Sequence, residues 1–275
     1  MAAQELALDA ETVLPLTGWR DPMQRTPNWY RKDGTLGWMG PRVAASRCIR
    51  ACLQAAASSK EPALPVFDDI YEFGVYTGGG LREWFRQKMN TSRTRVFGFD
   101  SFQGMPDNDA TDRAAHINNP AWRAGGLNAA EQLHLASWSQ LRDRIVTNIG
   151  YEAQRIRLIR GFYNESLVRR NLAQTHQMGP ARLLDLDCDL ASSTRQALQF
   201  MLREGLLRPG SFVYYDDASE KMWTSSKATE QTLAHREVSK EYGLTWQMLR
   251  CKWPKSWHWR AVLRLTACQR CPVTV

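Results

Sequence analysis

The sequence predicts an α/β fold: an open, mostly parallel sheet that closes with an antiparallel hairpin. Three observations lead there. From residue 66 onward, short β-rich runs alternate with helical stretches, the pattern of strand–helix–strand units. The first run ends in a turn, Gly78-Gly79-Gly80, that opens a helix. The last two runs are joined by a short basic turn, CKWPKS, which suits a hairpin at the sheet edge.

The elements follow in order. Residues 1–65 read as a helical and irregular lead-in, in which PRVAASRCIRACLQAAA has apolar residues at helical spacing and SSKEPALP breaks it. VFDDIYEFGV is the first strand and LREWFRQKM the helix after it. RVFGFD, RIRLIRG, RLLDLD and SFVYYDD supply four more strands, with SSTRQALQFMLREGL as a helix between the last two. TLAHREVSKEYG is a helix, and LTWQML and WHWRAVLRLT complete seven strands. The connection 103–150 is long for such a fold, and a long insertion there is expected to be a lid above the C-terminal strand ends. We therefore expect one domain over 1–275: a lead-in or lid (1–65), a core (66–220), and a closing helix and hairpin (221–275).

Composition excludes several classes. Apolar residues make up 43% and charged residues 23%, which is the balance of a globular chain and not of a disordered one. No apolar run reaches the length of a membrane span, so no membrane partner is expected. The first residues carry Glu5, Asp9 and Glu11 before any Lys or Arg, unlike a secretory signal, and a cytoplasmic location is expected. Six cysteines are too few for a disulfide scaffold; Cys48 and Cys52 are expected as packed thiols, and Cys268 and Cys271 as part of a frayed tail. Net charge is +8, and six basic residues with no acidic one follow Glu241. That segment could attract an anionic substrate or nucleic acid, or serve only as a solubilising edge.

Two constellations carry chemistry. The turn after the first strand lacks both phosphate-binding patterns: Tyr76 stands where a dinucleotide fingerprint has its second glycine, and Leu81-Arg82 where a phosphate loop has Lys and Ser or Thr. Asp100 ends the second strand, 26 residues after Gly74, where a carboxylate can accept the ribose hydroxyls of an adenosine. A nucleoside without phosphates fits, and S-adenosyl-L-methionine (SAM) is such a cofactor. Asp185, Asp187 and Asp189 alternate along the fourth strand, and Asp216 and Asp217 end the fifth. Three buried, unpaired carboxylates on one strand would be very costly, so the strand is expected to end near Asp187 and Asp185 to need a partner. Carboxylates converging at neighbouring strand tips suit Mg²⁺ or another divalent cation; helix capping by Asp189 or Asp217 is the plainer reading.

These residues resemble a family, the class I SAM-dependent, Mg²⁺-dependent O-methyltransferases of the macrocin and mycinamicin type, which methylate sugar hydroxyls of macrolides. The matching pieces are YEFGVYTGGGLR, FGFDSFQGMPD, AWRAGGLNAAEQ, IRLIRGFYNESL, LLDLDCDLASST, LRPGSFVYYDD and the closing HWR, in family order. GWMGPRVA is similar to the lead-in segment that closes on the cofactor.

The resemblance implies a Rossmann-like class I methyltransferase fold with a seven-stranded sheet. It implies cofactor contacts at Glu72, Gly74, Tyr76, Thr77, Gly78, Asp100, Ser101, Gly161 and Phe162. It implies metal ligation by Asp187, Asp216 and Asp217, with Asp187 and Asp189 both open as the direct ligand. Asp187, Asp189 and His258 are the candidate catalytic bases. A small-molecule acceptor, natural-product biosynthesis and a homo-oligomer are also implied. Ala191-Ser192 stands where the family usually has Tyr-Glu, and Ala218 where it commonly has Tyr, so the resemblance fixes the chemistry more than the acceptor. A nucleic-acid methyltransferase and a nicotinamide-dependent oxidoreductase are the competing enzyme readings. A carboxylate cluster argues against the first, and the missing glycine against the second. A non-catalytic partner subunit is the third alternative, against which the complete aspartate set stands.

Overall fold

The computed structural model describes residues 40–58, 64–107, 112, 123–218, 228–251 and 260–272. Among them, β1 (Asp69–Phe73), β2 (Val96–Asp100), β3 (Ile156–Arg160), β4 (Ala181–Leu186), β5 (Phe212–Tyr215), β6 (Leu244–Leu249) and β7 (Ala261–Cys268) form one sheet. Their order is β3-β2-β1-β4-β5-β7-β6. The first five are parallel; β7 runs antiparallel to both β5 and β6. The closing hairpin is therefore present, with β6 at the edge. No helix among the described residues is long and apolar enough to cross a membrane.

Five helices of eight or more residues cover the sheet among the described residues: α1 (Gly40–Ala57), α2 (Gly79–Arg86), α3 (Trp138–Ile149), α4 (Ala191–Arg203) and α5 (Glu230–Tyr242). Their ends follow local chemistry. The Ser137 hydroxyl accepts from the Gln140 N–H to start α3, and the Thr229 hydroxyl does the same for Thr232 at the start of α5. Gly150 and Gly243 end these helices at φ 67° and 64°, a conformation glycine adopts without strain.

Each sheet face has its own core. Tyr71, Phe73, Leu184, Leu186, Val213 and Tyr215 pack with α4 and α5 through Leu198, Phe200, Met201 and Val238. Ile70, Leu183, Phe212 and Tyr214 pack with α1, α2 and α3 through Ala45, Ile49, Trp84, Leu141 and Ile145. Burying side chains of this size contributes about 1.5–3 kcal/mol each. The alternation puts two acids on the second face. Glu72 pairs in register with Asp185, and Asp185 with Tyr214, so the three form a row across β1, β4 and β5.

The cysteines differ from expectation. Cys48 of α1 and Cys251, just past β6, form a disulfide with Cα atoms 5.6 Å apart. Cys268 and Cys271 form a second, so this CxxC is a bridged turn rather than a loose tail. Cys52 and Cys188 are free. Packing two sequence-distant elements brought Cys48 and Cys251 together, and spacing alone carries no trace of that.

Candidate active site

The pocket expected for the cofactor lies at the ends of β1 and β2. Both oxygens of Asp100 are held by backbone: Oδ2 accepts from the Tyr76 N–H at 2.8 Å and Oδ1 from the Phe102 N–H at 2.7 Å. Two amides aim the carboxylate and leave lone pairs for a ligand diol. Burial pushes the Asp100 pKa up, and these amides oppose the shift. Tyr76 has φ 50°, the left-handed backbone a glycine would supply, so the turn forms despite its side chain. The Asn148 side chain donates to the Thr77 carbonyl at 3.0 Å and braces the same turn. A Cβ on Gly78 (φ 83°) would lie 2.9 Å from Ile149.

Glu72 sits directly beneath the turn. It is buried, and a Cβ on Gly80 would come within 2.0 Å of its Oε1. Glycine there lets α2 close over the carboxylate. Glu72 Oε2 has no hydrogen-bond partner among the described residues. A buried carboxylate oxygen left open is a costly feature for stability alone, and it suits a positively charged ligand group.

The other predicted contacts fall around this pocket. The Gly161 N–H donates to the Asp100 carbonyl at 3.0 Å, and Phe162 precedes a short helical turn, Tyr163–Ser166. The Ser101 hydroxyl donates to the Gly104 carbonyl at 2.6 Å and accepts from the Gln103 N–H, so it orders the turn after β2.

The acidic cluster has an organiser that the sequence did not reveal. Arg42, in the first turn of α1, reaches down onto the sheet. Its Nε donates to Asp185 at 2.8 Å, and Nη2 to Asp187 at 2.9 Å and Glu72 at 3.4 Å. Nη1 lies 3.7 Å from Asp216. Trp84 Nε1 also donates to Asp185, at 2.7 Å. This answers what pairs with Asp185. Burial works against the charge on Arg42, yet Asp185, Tyr214, Asp187 and Asp216 together hold its pKa above the usual range. The only signal in the sequence was the GPR triplet of the lead-in; nothing in it paired Arg42 with an acid 143 residues later.

β4 ends at Leu186, one residue before Asp187, and Asp189 turns the chain at φ 57°. Burial and the neighbouring Asp216 push the Asp187 pKa well up; burial and Asp217 do the same to Asp189, whose carboxyl is hydrogen-bonded to that of Asp217. Asp216, expected as a metal ligand, is held by protein groups: Oδ1 accepts from the Tyr214 hydroxyl at 2.7 Å, and Oδ2 pairs with Arg260 at 2.7 Å. Asp217 lies 4.0 Å from Arg260. Among the described residues no three His, Cys, Asp or Glu side chains close on one point as a metal site. The donor chemistry nonetheless fits a hard cation. Asp187, Asp189 and Asp217 offer carboxylate oxygens at adjacent strand tips, and two guanidinium groups balance only part of the charge.

The basic C-terminal segment turns inward in part. Arg260 and Arg264 are 4% and 5% exposed, one on Asp216 and the other over the Phe212 ring. They are not available as an outward strip for nucleic acid. Asp112, in the connection between β2 and β3, accepts from the Ser192 N–H and hydroxyl at the start of α4, both at 2.9 Å. His258 lies outside the described residues.

A glycine turn after β1, an aimed acid at the end of β2, and β7 inserted antiparallel beside β5 define a class I SAM-dependent methyltransferase. The chain belongs to the macrocin-O-methyltransferase (TylF) family, whose model matches residues 34–244. Its fold is similar to that of the O-methyltransferase NovP, at 20% identity and TM-score 0.52, over 82% of this chain and 80% of that one. It is also similar to CalS11, a calicheamicin methyltransferase, at 20% identity and TM-score 0.54, over 88% of this chain and 83% of that one. No curated protein sequence matches the chain.

Proposed function

We propose that this O-methyltransferase methylates a hydroxyl of a small natural-product acceptor, a sugar or other polyol, assisted by a divalent cation. The carrying observation is the convergence of Asp187, Asp189, Asp216 and Asp217 at the tips of β4 and β5, beside the pocket formed by Glu72 and Asp100. So many like charges are poorly explained by stability and well explained by a cation plus a polar acceptor. CalS11 is described as a TDP-rhamnose 3'-O-methyltransferase, and a sugar acceptor for this chain agrees with that relative.

Methyl transfer is an in-line displacement: the acceptor oxygen bonds to the methyl carbon as the carbon–sulfur bond breaks. Its electron pair goes to sulfur, leaving S-adenosylhomocysteine. Holding oxygen, carbon and sulfur collinear supplies much of the rate. Asp100 would hold the ribose and Glu72 the cationic methionine end, fixing the sulfur. Asp187 or Asp189 would take the acceptor proton on a carboxylate oxygen. Burial makes both more basic than an ordinary aspartate. A divalent cation would be held by Asp217 and by whichever of Asp187 and Asp189 does not take the proton, with Asp216 kept in place by Tyr214 and Arg260, and would orient acceptor oxygens and acidify one of them. We further read the chain as a cytoplasmic homo-oligomer.

Chelation tests the cation. EDTA is expected to abolish methyl transfer to a vicinal-diol acceptor, and Mg²⁺ to restore it; undiminished turnover in chelator would remove the cation from this reading. The ribose assignment has its own test. Asp100→Ala is expected to weaken SAM binding by at least ten-fold in calorimetry, since a buried charge-assisted contact is lost. Unchanged cofactor affinity would place the ribose elsewhere.

A further inference from the structure

The ladder between β4 and β5 ends in an unusual way. The Leu186 carbonyl accepts from the Asp216 N–H at 3.1 Å, and there the backbone pairing of the two strands stops. The next amide of β4, Asp187 N–H, turns to the Phe73 carbonyl on β1. The Asp217 N–H donates to Gln231 Oε1 at 2.9 Å. Gln231 Nε2 in turn donates to the Leu186 carbonyl at 3.0 Å. One carboxamide, donor and acceptor in the same plane, thus takes the place of a peptide group and continues the ladder by one rung.

We propose that Gln231 is a positioning residue, whose carboxamide ties the tips of β4 and β5 together and so fixes Asp187 and Asp217 relative to each other. The side chain is fully buried, so water cannot substitute for either bond. Its own position is set away from the acids. α5 is capped by Thr229 and packed through Ala234 and Val238. His235, one turn on, meets the Tyr215 hydroxyl at 2.7 Å; burial pushes the His235 pKa down to about 3, so this anchor stays neutral. A rigid helix therefore delivers the carboxamide to the strand tips. Methionine would fill the same space with neither donor nor acceptor, removing both bonds. The inference rests on the reading that Asp187 and Asp217 face the acceptor and its cation.

The test uses the full chain, with Mn²⁺ as probe for the cation, S-adenosylhomocysteine for the cofactor pocket, and amide hydrogen exchange at Asp217 for the tie itself. Gln231→Met is expected to lose at least ten-fold in Mn²⁺ affinity by electron paramagnetic resonance. Its S-adenosylhomocysteine affinity should stay within two-fold, and its Asp217 amide should exchange at least ten-fold faster. Val238→Ala, a cavity in the same helix away from the tips, should lower the unfolding midpoint and leave all three readings unchanged. If Gln231→Met does not fold, Gln231→Ser, which leaves room for water, is read in its place. Wild-type exchange at Asp217 in the variant, or the same losses in Val238→Ala, would overturn the proposal. Absence of Mn²⁺ binding to the wild-type chain would instead remove the cation reading; exchange at Asp217 would still decide the role of Gln231.

Discussion

Arg42→Met is expected to destabilise the chain by about 3–5 kcal/mol, the cost of leaving buried ionic partners uncompensated. The substitution keeps length and apolar stem and removes only the guanidinium. Asp185 would retain Trp84 Nε1 alone, and Glu72 and Asp187 would lose their hydrogen-bonded cation. Both side chains of the central pair, Arg42 and Asp185, are 5% exposed or less, so solvent screens little of the effect. Urea unfolding measures it, and methyl transfer should fall with it if Glu72 and Asp187 line the proposed site. A loss below about 1 kcal/mol, the range of an exposed pair, would show that Arg42 is not the counter-charge of this row.

Gly74→Ala is expected to cost about 3 kcal/mol or more, and at least ten-fold in SAM affinity, from strain and collision together. Gly74 has φ 92°, and a Cβ there would lie 1.9 Å from the Asp187 carbonyl oxygen. That oxygen is main chain and cannot swing aside. The Asp187 N–H is tied to the Phe73 carbonyl, and the Gly74 N–H to the Phe99 carbonyl, both at 2.9 Å. Relief would require parting β1 from the end of β4 at the glycine turn. Gly150→Ala is the internal contrast: its φ is 67°, but the nearest atom to an added Cβ is 3.9 Å away. There only the backbone term remains, about 1–2 kcal/mol. Equal effects at the two positions would show that the contact with Asp187 carries no weight.

The sheet was legible because its signals are local. Strand-length apolar runs, the glycine turn and the strand-terminal acids each lie within a dozen residues. Asp100 could be assigned a direction because a strand end points its side chain toward the ligand edge. Asp185 was legible as a problem, a buried charge in need of a partner, but not as a solution. Arg42 and Trp84 reach it only after α1 and α2 pack on one face, and no spacing rule connects them. Gln231 was invisible for the same reason: its importance lies in two backbone groups on other elements. Asp216 was legible as a strand-tip acid, but its pairing with Arg260 was not, because Arg260 looked like part of a basic surface strip. A positive charge in a hairpin strand gives no sign of facing inward until the opposite strand is known.

The position of α1 in the chain has a kinetic consequence. Arg42 meets Asp185 across 143 residues and Asp187 across 145. Such distant contacts form late, after shorter loops have closed. Glu72, by contrast, lies only 30 residues from Arg42, so by the same rule α1 settles on β1 first and offers its guanidinium to Asp185 as β4 arrives. α1, the first described helix, is thus the piece that brings these buried carboxyls the cation they share.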